Sequence, residues 1–273
     1  FHSWDQPLDG EPVRLAYQRG VISRPQPDYF LVKTRFPGVY ANRYGLGAAL
    51  FATPFVAAIY PFAPDLYQSS SAGLLWRSCK VATAFAVAAS AVFLFLAAVA
   101  FLRPSTAAGL ALVYGLGTSV WSTSSQTLWQ HGPTEFWLAL GALLMLRRQR
   151  PSLATWVGLC FAMAFLCRPT AALIAIIIAA YYLKTDRRGF VRFAVGALPV
   201  VALYAAYNLY AFGRPLALGQ LDEGSHAILA IPKLAMAADG PVTQLFGRHV
   251  LQGLAGSLVS PSRGLLVCSP VVA

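Results

Sequence analysis

The long apolar segment from Cys79 to Leu102 is the feature that most limits how this chain can fold. About 20 apolar residues are enough for one helix to cross the hydrocarbon core of a bilayer. Arg103 and Pro104 follow directly, and a proline at that point ends the helix. The segment therefore predicts a transmembrane helix.

The composition extends this prediction to the whole chain. Hydrophobic residues make up 57% of the sequence and charged residues only 11%, whereas soluble domains contain about 25% charged residues. The apolar residues occur in long blocks and not at amphipathic spacing, which excludes an ordinary soluble helical bundle. The net charge of +11 falls largely in short loops beside apolar runs. It indicates membrane orientation, and we expect no nucleic-acid partner.

We predict an all-α, polytopic membrane protein with four regions. Residues 1–77 form a first outer (periplasmic) loop with a juxtamembrane or re-entrant segment, and residues 78–212 form a transmembrane bundle of about six helices. Residues 213–252 form another outer loop, and residues 253–273 begin a further transmembrane helix. Because the sequence starts without Met and stops inside an apolar run, we expect the chain to be truncated at both ends.

Short basic loops predict the orientation of the bundle, because such loops stay on the cytoplasmic side. Arg103 and the basic clusters at 147–150 and 184–192 belong there. The apolar runs between them pair as hairpins, which brings the intervening polar segments to the outer face. The side on which residues 1–43 lie depends on 44–62, whose length and two prolines favour a segment that does not cross.

One polar segment between apolar runs carries more hydrogen-bonding and titratable side chains than a turn needs. We call Ser122–Glu135 the polar tip; its sequence is STSSQTLWQHGPTE. Gln130, His131 and Glu135 supply hydrogen-bonding and titratable groups. Trp129 can stack on a sugar face, although interfacial tryptophans also form the ordinary aromatic belt of membrane proteins. The tip is therefore the first candidate binding site.

Arg168 is the second candidate. Together with Pro169 it separates two half-length apolar runs, and a charge in such a place is costly unless it is paired. Arginine grips phosphate with two parallel hydrogen bonds, and Arg214 and Arg263 offer the same group on the outer face. The alternative for Arg168 is that its side chain snorkels to the membrane surface.

Acidic residues near the start of the chain supply a candidate base. A carboxylate near apolar surface can act as a general base because desolvation raises its pKa. The candidates on the outer face are the carboxylates of Asp5, Asp9, Glu11, Glu135, Asp222 and Glu223. The alternative for Asp9 is that it caps a short helix. We expect no metal or other cofactor: a divalent cation on the outer loops is conceivable but no ligand spacing supports it, and the cysteines show no CxxC or Cys/His pattern and read as packing residues.

Six segments in order along nearly the whole chain resemble the bacterial GT-C glycosyltransferases. The relevant members are similar to dolichyl-phosphate-mannose protein mannosyltransferases and aminoarabinose transferases. The matching segments are DGEPVRLAYQRG, NRYGLGAALFATPF, SQTLWQHGPTEFW, FLCRPTA, YNLYAFGRPLALGQ and SPSRGLLVCSP.

The resemblance implies an enzyme of the bacterial inner membrane with its active face in the periplasm. It would move a sugar from a polyprenyl-phosphate donor to a glycan, lipid or protein acceptor. Asp9, with Glu11 and Asp5 in reserve, would be the base of a single displacement that inverts the anomeric carbon. The family often has an adjacent Asp-Glu pair, whereas Gly10 separates the two acids here.

The resemblance also implies roles for the remaining polar residues. Gln130, His131 and Glu135 would line the substrate site. Arg168, Arg214 and Arg263 would hold the lipid phosphate.

Two other classes of protein are compatible with the same features. A membrane transporter or lipid flippase would move a substrate without transferring sugar, and would more often show paired broken helices. A noncatalytic membrane assembly subunit would tolerate the joint loss of Asp9, His131 and Arg168.

The sidedness of the first loop tests the single-site hypothesis. We expect a Ser3→Cys variant to react with a membrane-impermeant thiol reagent in intact cells, as a Ser225→Cys variant in the second outer loop should, with the wild-type protein as background. Labelling of Ser3→Cys only after permeabilisation would place Asp9 on the opposite side from the second outer loop, and Asp9 would not be the base of an outer site.

Overall fold

The computed structural model describes residues 31–37, 40–42, 46–63, 72–147 and 152–215. This part of the chain is mostly helical, as the sequence predicts. It divides into two compact units. The larger unit contains residues 46–202, and the described residues of the smaller unit are 31–42 and 203–215 apart from the gap at 38–39.

Seven α-helices occupy the described residues. Five of them fall within the predicted bundle region 78–212, and a sixth, Ala72–Ala98, begins six residues before it. In chain order they are α1 (Gly47–Ile59), α2 (Ala72–Ala98), α3 (Pro104–Gly117), α4 (His131–Leu146), α5 (Leu153–Cys167), α6 (Ala172–Thr185) and α7 (Arg187–Phe212).

Two of these helices have the length and composition of membrane spans. They are Gly73–Ala98 within α2 and Arg187–Phe212, which is α7. Three further helical segments are apolar but shorter: Gly47–Phe62, Leu153–Cys167 and Pro169–Thr185. Two helices are thus candidate membrane spans by length and composition, and a bundle with more spans stays a prediction.

Helix α1 is the segment predicted as juxtamembrane or re-entrant. Its 13 residues extend over about 20 Å, less than the roughly 30 Å of a hydrocarbon core. Pro54 lies inside the helix and removes one backbone donor. A 3₁₀ turn, Tyr60–Phe62, then ends it. The observed length agrees with a segment too short to cross upright.

At one end of the larger unit, three helices pack around an apolar cluster. Val157 and Phe161 of α5 pack with Tyr182 near the end of α6 and Phe193 near the start of α7. The start of α5 thus lies beside the end of α6, so these two helices form the antiparallel hairpin predicted from the sequence. Gly158 allows a close approach of α5 and α7, because a side chain there would meet the backbone of Phe193.

The opposite end of the unit brings together α1, α5, α4 and α2. Gly47, the first residue of α1, lies directly against the backbone of Cys167, the last residue of α5. Gly132 in the first turn of α4 lies against Thr83 of α2. The start of α1, the end of α5 and the start of α4 therefore share one end of this unit.

The smaller unit contains two three-residue strands that an all-α prediction does not include. β1 (Leu31–Lys33) pairs antiparallel with β2 (Tyr40–Asn42), with Val32 opposite Ala41. β-branched and aromatic residues favour such pairing. The backbone N–H of Arg35 donates to the carbonyl of Ala211 in α7 at 2.8 Å, and the Phe36 ring lies 5.2 Å from Tyr210.

Replacement of Gly47 tests the contact between α1 and α5. A Cβ at this position would collide with the backbone of Cys167, and overpacking of this kind costs about 1–3 kcal/mol. We expect Gly47→Ala to lower the apparent unfolding temperature of the purified protein in detergent.

Gly109→Ala on α3 is the matched control. A Cβ there meets no atom within 4 Å, so this substitution should leave stability unchanged or raise it by a few tenths to about 1 kcal/mol through helix propensity. Equal unfolding temperatures for the two variants would contradict the close approach.

Candidate functional site

The polar tip is not a simple turn. Helix α3 ends at Gly117, Thr118 is extended, and Val120–Ser124 forms a π-helical turn. The Thr118 hydroxyl accepts a hydrogen bond from the backbone N–H of Val120 at 3.2 Å. The chain then passes through a short loop before α4 begins at His131. π-helical turns are rare and occur often at functional sites.

Glu135 connects the two ends of the tip. The Ser124 hydroxyl donates to its Oε1 at 2.7 Å. The other carboxylate oxygen, Oε2, is buried and has no hydrogen-bond partner among the described residues. Burial raises the pKa of Glu135, against the opposing effects of the Ser124 hydrogen bond and the charge of Arg168. One oxygen of the Glu135 carboxylate therefore accepts a hydrogen bond, and the other can still accept one from a ligand.

His131 and Arg168 meet although 37 residues separate them along the chain. Arg168 Nη1 lies 3.0 Å from His131 Nδ1. A guanidinium only donates, so Nδ1 must accept and the imidazole proton lies on Nε2. Burial lowers the pKa of His131, and the nearby charge of Arg168 lowers it further. His131 is therefore a neutral imidazole that orients a cation.

The break between α5 and α6 sets the position of Arg168. Arg168 is extended and ends α5, and Pro169 opens a 3₁₀ turn, Pro169–Ala171, that leads into α6. A proline disfavours helical backbone in the residue before it, which explains the break at this point. Within the described ranges, the hydrogen bond to His131 is the only side-chain hydrogen bond of Arg168. The remaining donors of its guanidinium suit an anion.

Other polar groups surround this pair. The Trp129 ring is nearly parallel to that of His131, with centroids 6.3 Å apart, and is 45% exposed. Gln130 Oε1, Trp137 Nε1 and Thr83 Oγ1 are buried without a hydrogen-bond partner in the described part of the chain. Buried polar atoms are rarely left unpaired, so the start of α4 offers acceptors and donors to a polar group.

The sequence identifies some of these residues and misses others. Gln130, His131, Glu135 and Arg168 were all candidates, and they lie at the same end of the larger unit. Three further polar residues were not: Ser124, Thr83 and Trp137. Nothing in the local sequence distinguishes Thr83 from the other small residues of an apolar helix.

The remaining candidates are not among the residues that define this geometry. Asp9, Glu11 and Arg263 lie outside the described residues. Arg214 is exposed in the turn after α7, where Gly213 has a φ of 71°, and it belongs to the smaller unit. Their grouping with His131 stays a prediction.

Metal coordination has no support in the described ranges. No three His, Cys, Asp or Glu side chains there come together as a metal site. Whether the protein needs a divalent cation is untested.

The chain was compared with known proteins. No family model, curated protein or solved structure matches it. Inference about function therefore depends on the geometry of the polar tip and on the motif resemblance.

Acidification should lower the free energy of unfolding, because His131 in the polar tip becomes protonated. Because the folded state lowers the pKa of His131 below its ordinary 6.5, the unfolded chain takes up a proton first as the pH falls. This contribution to stability is complete above about pH 6.5 and is lost below it. We expect the wild-type unfolding temperature to fall between about pH 7.5 and pH 5.5 by more than that of His131→Gln.

His131→Gln is a suitable comparison because its amide oxygen can still accept from Arg168 and does not titrate. Other groups titrate equally in both proteins, so the difference between the two pH profiles isolates His131. Parallel profiles would show that His131 is not held in its neutral form by the fold.

Proposed function

We propose that this protein is a membrane glycosyltransferase that moves a sugar from a polyprenyl-phosphate donor to an acceptor hydroxyl at the outer face of the bacterial inner membrane. The observation that carries the proposal is the cation at the helix break: Arg168, oriented by neutral His131, beside the buried carboxylate of Glu135. Arg168 is half-buried and makes no ion pair within the described ranges, and a guanidinium of this kind is suited to a phosphate.

An apolar groove beside this site supports a lipid-linked donor. It has a volume of about 470 Å³ and lies among α1, α2, α4 and α5. Phe136 and Trp137 line it and directly follow Glu135 in α4. The other lining residues are Leu50, Phe51, Pro54, Phe55, Ala58, Phe85 and Met163. Such a groove next to an anion-binding group matches a ligand with an apolar chain and a phosphate head.

The proposed reaction is a single displacement. Asp9 takes the proton of the acceptor hydroxyl, and the acceptor oxygen attacks the anomeric carbon. The bond from that carbon to the phosphate oxygen breaks, and polyprenyl phosphate leaves with the bonding electrons. Arg168 stabilises the negative charge on the leaving phosphate, as positioned cations do for developing charge in transfer reactions. Inversion at the anomeric carbon follows from the single displacement.

The side chains of the polar tip would orient the sugar and the acceptor. Glu135 Oε2 and Gln130 Oε1 supply acceptors for sugar hydroxyls, and Trp137 Nε1 supplies a donor. Trp129, exposed beside His131, offers a flat surface for a sugar ring. A further candidate base is Glu11, in agreement with the resemblance.

Sugar release from a polyprenyl-phosphate sugar in proteoliposomes tests the proposal. We expect Asp9→Asn to reduce transfer by at least 100-fold, the usual scale for loss of a general base (about 10²–10⁴). Arg168→Ala should reduce it comparably, and Arg168→Lys should recover only part, because lysine lacks the planar fork.

Arg147→Ala is the matched control, since Arg147 is an exposed arginine at the opposite end of α4. It should retain wild-type transfer. Full activity of Asp9→Asn in correctly folded protein would eliminate Asp9 as the base, and full activity of Arg168→Ala would eliminate the phosphate role.

A transporter or flippase is the second candidate, and the break between α5 and α6 favours it. Many transporters bind substrate at discontinuous helices. The two functions differ in products: a transporter would move the polyprenyl-phosphate sugar between leaflets without releasing polyprenyl phosphate. Translocation of a fluorescent donor analogue that is unaffected by Asp9→Asn, with no sugar released, would favour the transporter.

A further inference from the structure

A second groove lies along α2 and α3. It has a volume of about 610 Å³ and runs between α2 and α3 up to the π-helical turn. We call it the α2–α3 groove. Its lining residues are Lys80, Ala84, Val87, Ala88, Ala91, Ala111, Leu112, Gly115, Leu116, Trp121, Ser125 and Gln126.

The groove is polar at one end and apolar along the rest of its length. Lys80 on α2 and Ser125 and Gln126 after the π-helical turn provide its polar groups. From Lys80 the lining continues along α2 as far as Ala91, and all the other residues along that length are apolar. At 1.5 Å per residue this is roughly 16 Å, close to half of the roughly 30 Å hydrocarbon core. The groove is thus as long as one leaflet.

The groove is open on one side among the described residues. Ala84 and Ala88 are exposed, although they lie on a helix with the length and composition of a membrane span. Gly115 on the facing helix has no side chain, and a Cβ there would make ordinary contact with Ala91 at 3.7 Å. An apolar chain from the surrounding bilayer can therefore enter from the side.

Lys80 gives the polar end its charge. Its Nζ lies 5.4 Å from the centre of the Trp76 ring, and no carboxylate pairs with it within the described ranges. Gln126 is already occupied, because its Nε2 donates to the Trp121 carbonyl and to the Ser125 hydroxyl. The ammonium of Lys80 is consequently the group that would select a ligand by charge.

We propose that the α2–α3 groove binds one anionic phospholipid of the bilayer. One acyl chain lies between α2 and α3, and the phosphate head lies at Lys80. A zwitterionic lipid has the same chains but no net charge, so the lysine distinguishes the two. The bound lipid would take no part in the proposed reaction, although Ser125 and Gln126 at the polar end of the groove belong to the polar tip.

Native mass spectrometry of the full chain, titrated with phosphatidylglycerol or phosphatidylcholine of equal chain length, tests the charge selection. A basic residue at a membrane surface strengthens binding of anionic lipid about fivefold. We expect Lys80→Ala to weaken the first phosphatidylglycerol binding step by about that factor and to leave phosphatidylcholine unchanged. Lys80→Arg should retain the preference.

Filling the groove tests the chain site independently of charge. Ala88→Phe places a ring in the groove, whereas Val92→Phe places the same ring at an exposed position of α2 that does not line it. We expect Ala88→Phe to reduce phosphatidylglycerol binding several-fold and Val92→Phe to leave it unchanged, with equal unfolding temperatures as the check on folding.

Three results would overturn the proposal. The first is equal affinity for the two lipids in the wild-type protein, and the second is equal binding by Ala88→Phe and Val92→Phe. The third is displacement of phosphatidylglycerol by polyprenyl phosphate at a much lower concentration, which would make the groove a carrier-lipid site instead.

Discussion

The contact between Arg168 and His131 determines how the larger unit is arranged at its polar end. A charged side chain between two apolar helices is costly unless something orients and pairs it, and here a neutral imidazole does so at 3.0 Å. The contact requires the end of α5 to reach the start of α4. Gly47 makes a further approach possible, because α1 can begin directly against the last residue of α5. The start of α4, the end of α5 and the start of α1 thus meet around Arg168.

Closure of the tip depends on a second polar contact, between Ser124 and Glu135. It ties the end of the π-helical turn to the first turns of α4, while Trp129 stacks beside His131. Glu135 has one oxygen engaged and one without a partner in the described ranges, and Arg168 has most of its donors available. The site therefore combines groups that are held firmly with groups that are left for a polar ligand, which is the arrangement that positioning of a substrate requires.

The sequence predicts best what depends on single residues. Pro169 has no backbone N–H to donate, so the helix break after α5 could be predicted from the sequence. Gly213 follows the end of α7, at a position that needs a positive φ. Contacts between residues that are distant in the sequence could not be predicted. The residues around His131 contain no pattern that points to Arg168 as its partner. The π-helical turn was also missed: Val120–Ser124 has the composition of an ordinary helix end. Helix α2 begins about two turns before the predicted start at Cys79, because a membrane helix can continue into the interface, where Trp76 and Arg77 are tolerated.

The π-helical turn has a consequence for how the α2–α3 groove could be gained or lost over time. A π-turn contains one residue more than the α-helical turn it replaces. A one-residue insertion or deletion rotates all that follows in a helix by about 100°. Trp121, Ser125 and Gln126 lie in or just after this turn and form the polar mouth of the groove. A deletion of a single codon there would turn these side chains away from Lys80 and would also displace Ser124 from Glu135, so the proposed lipid site and the closure of the polar tip would change together.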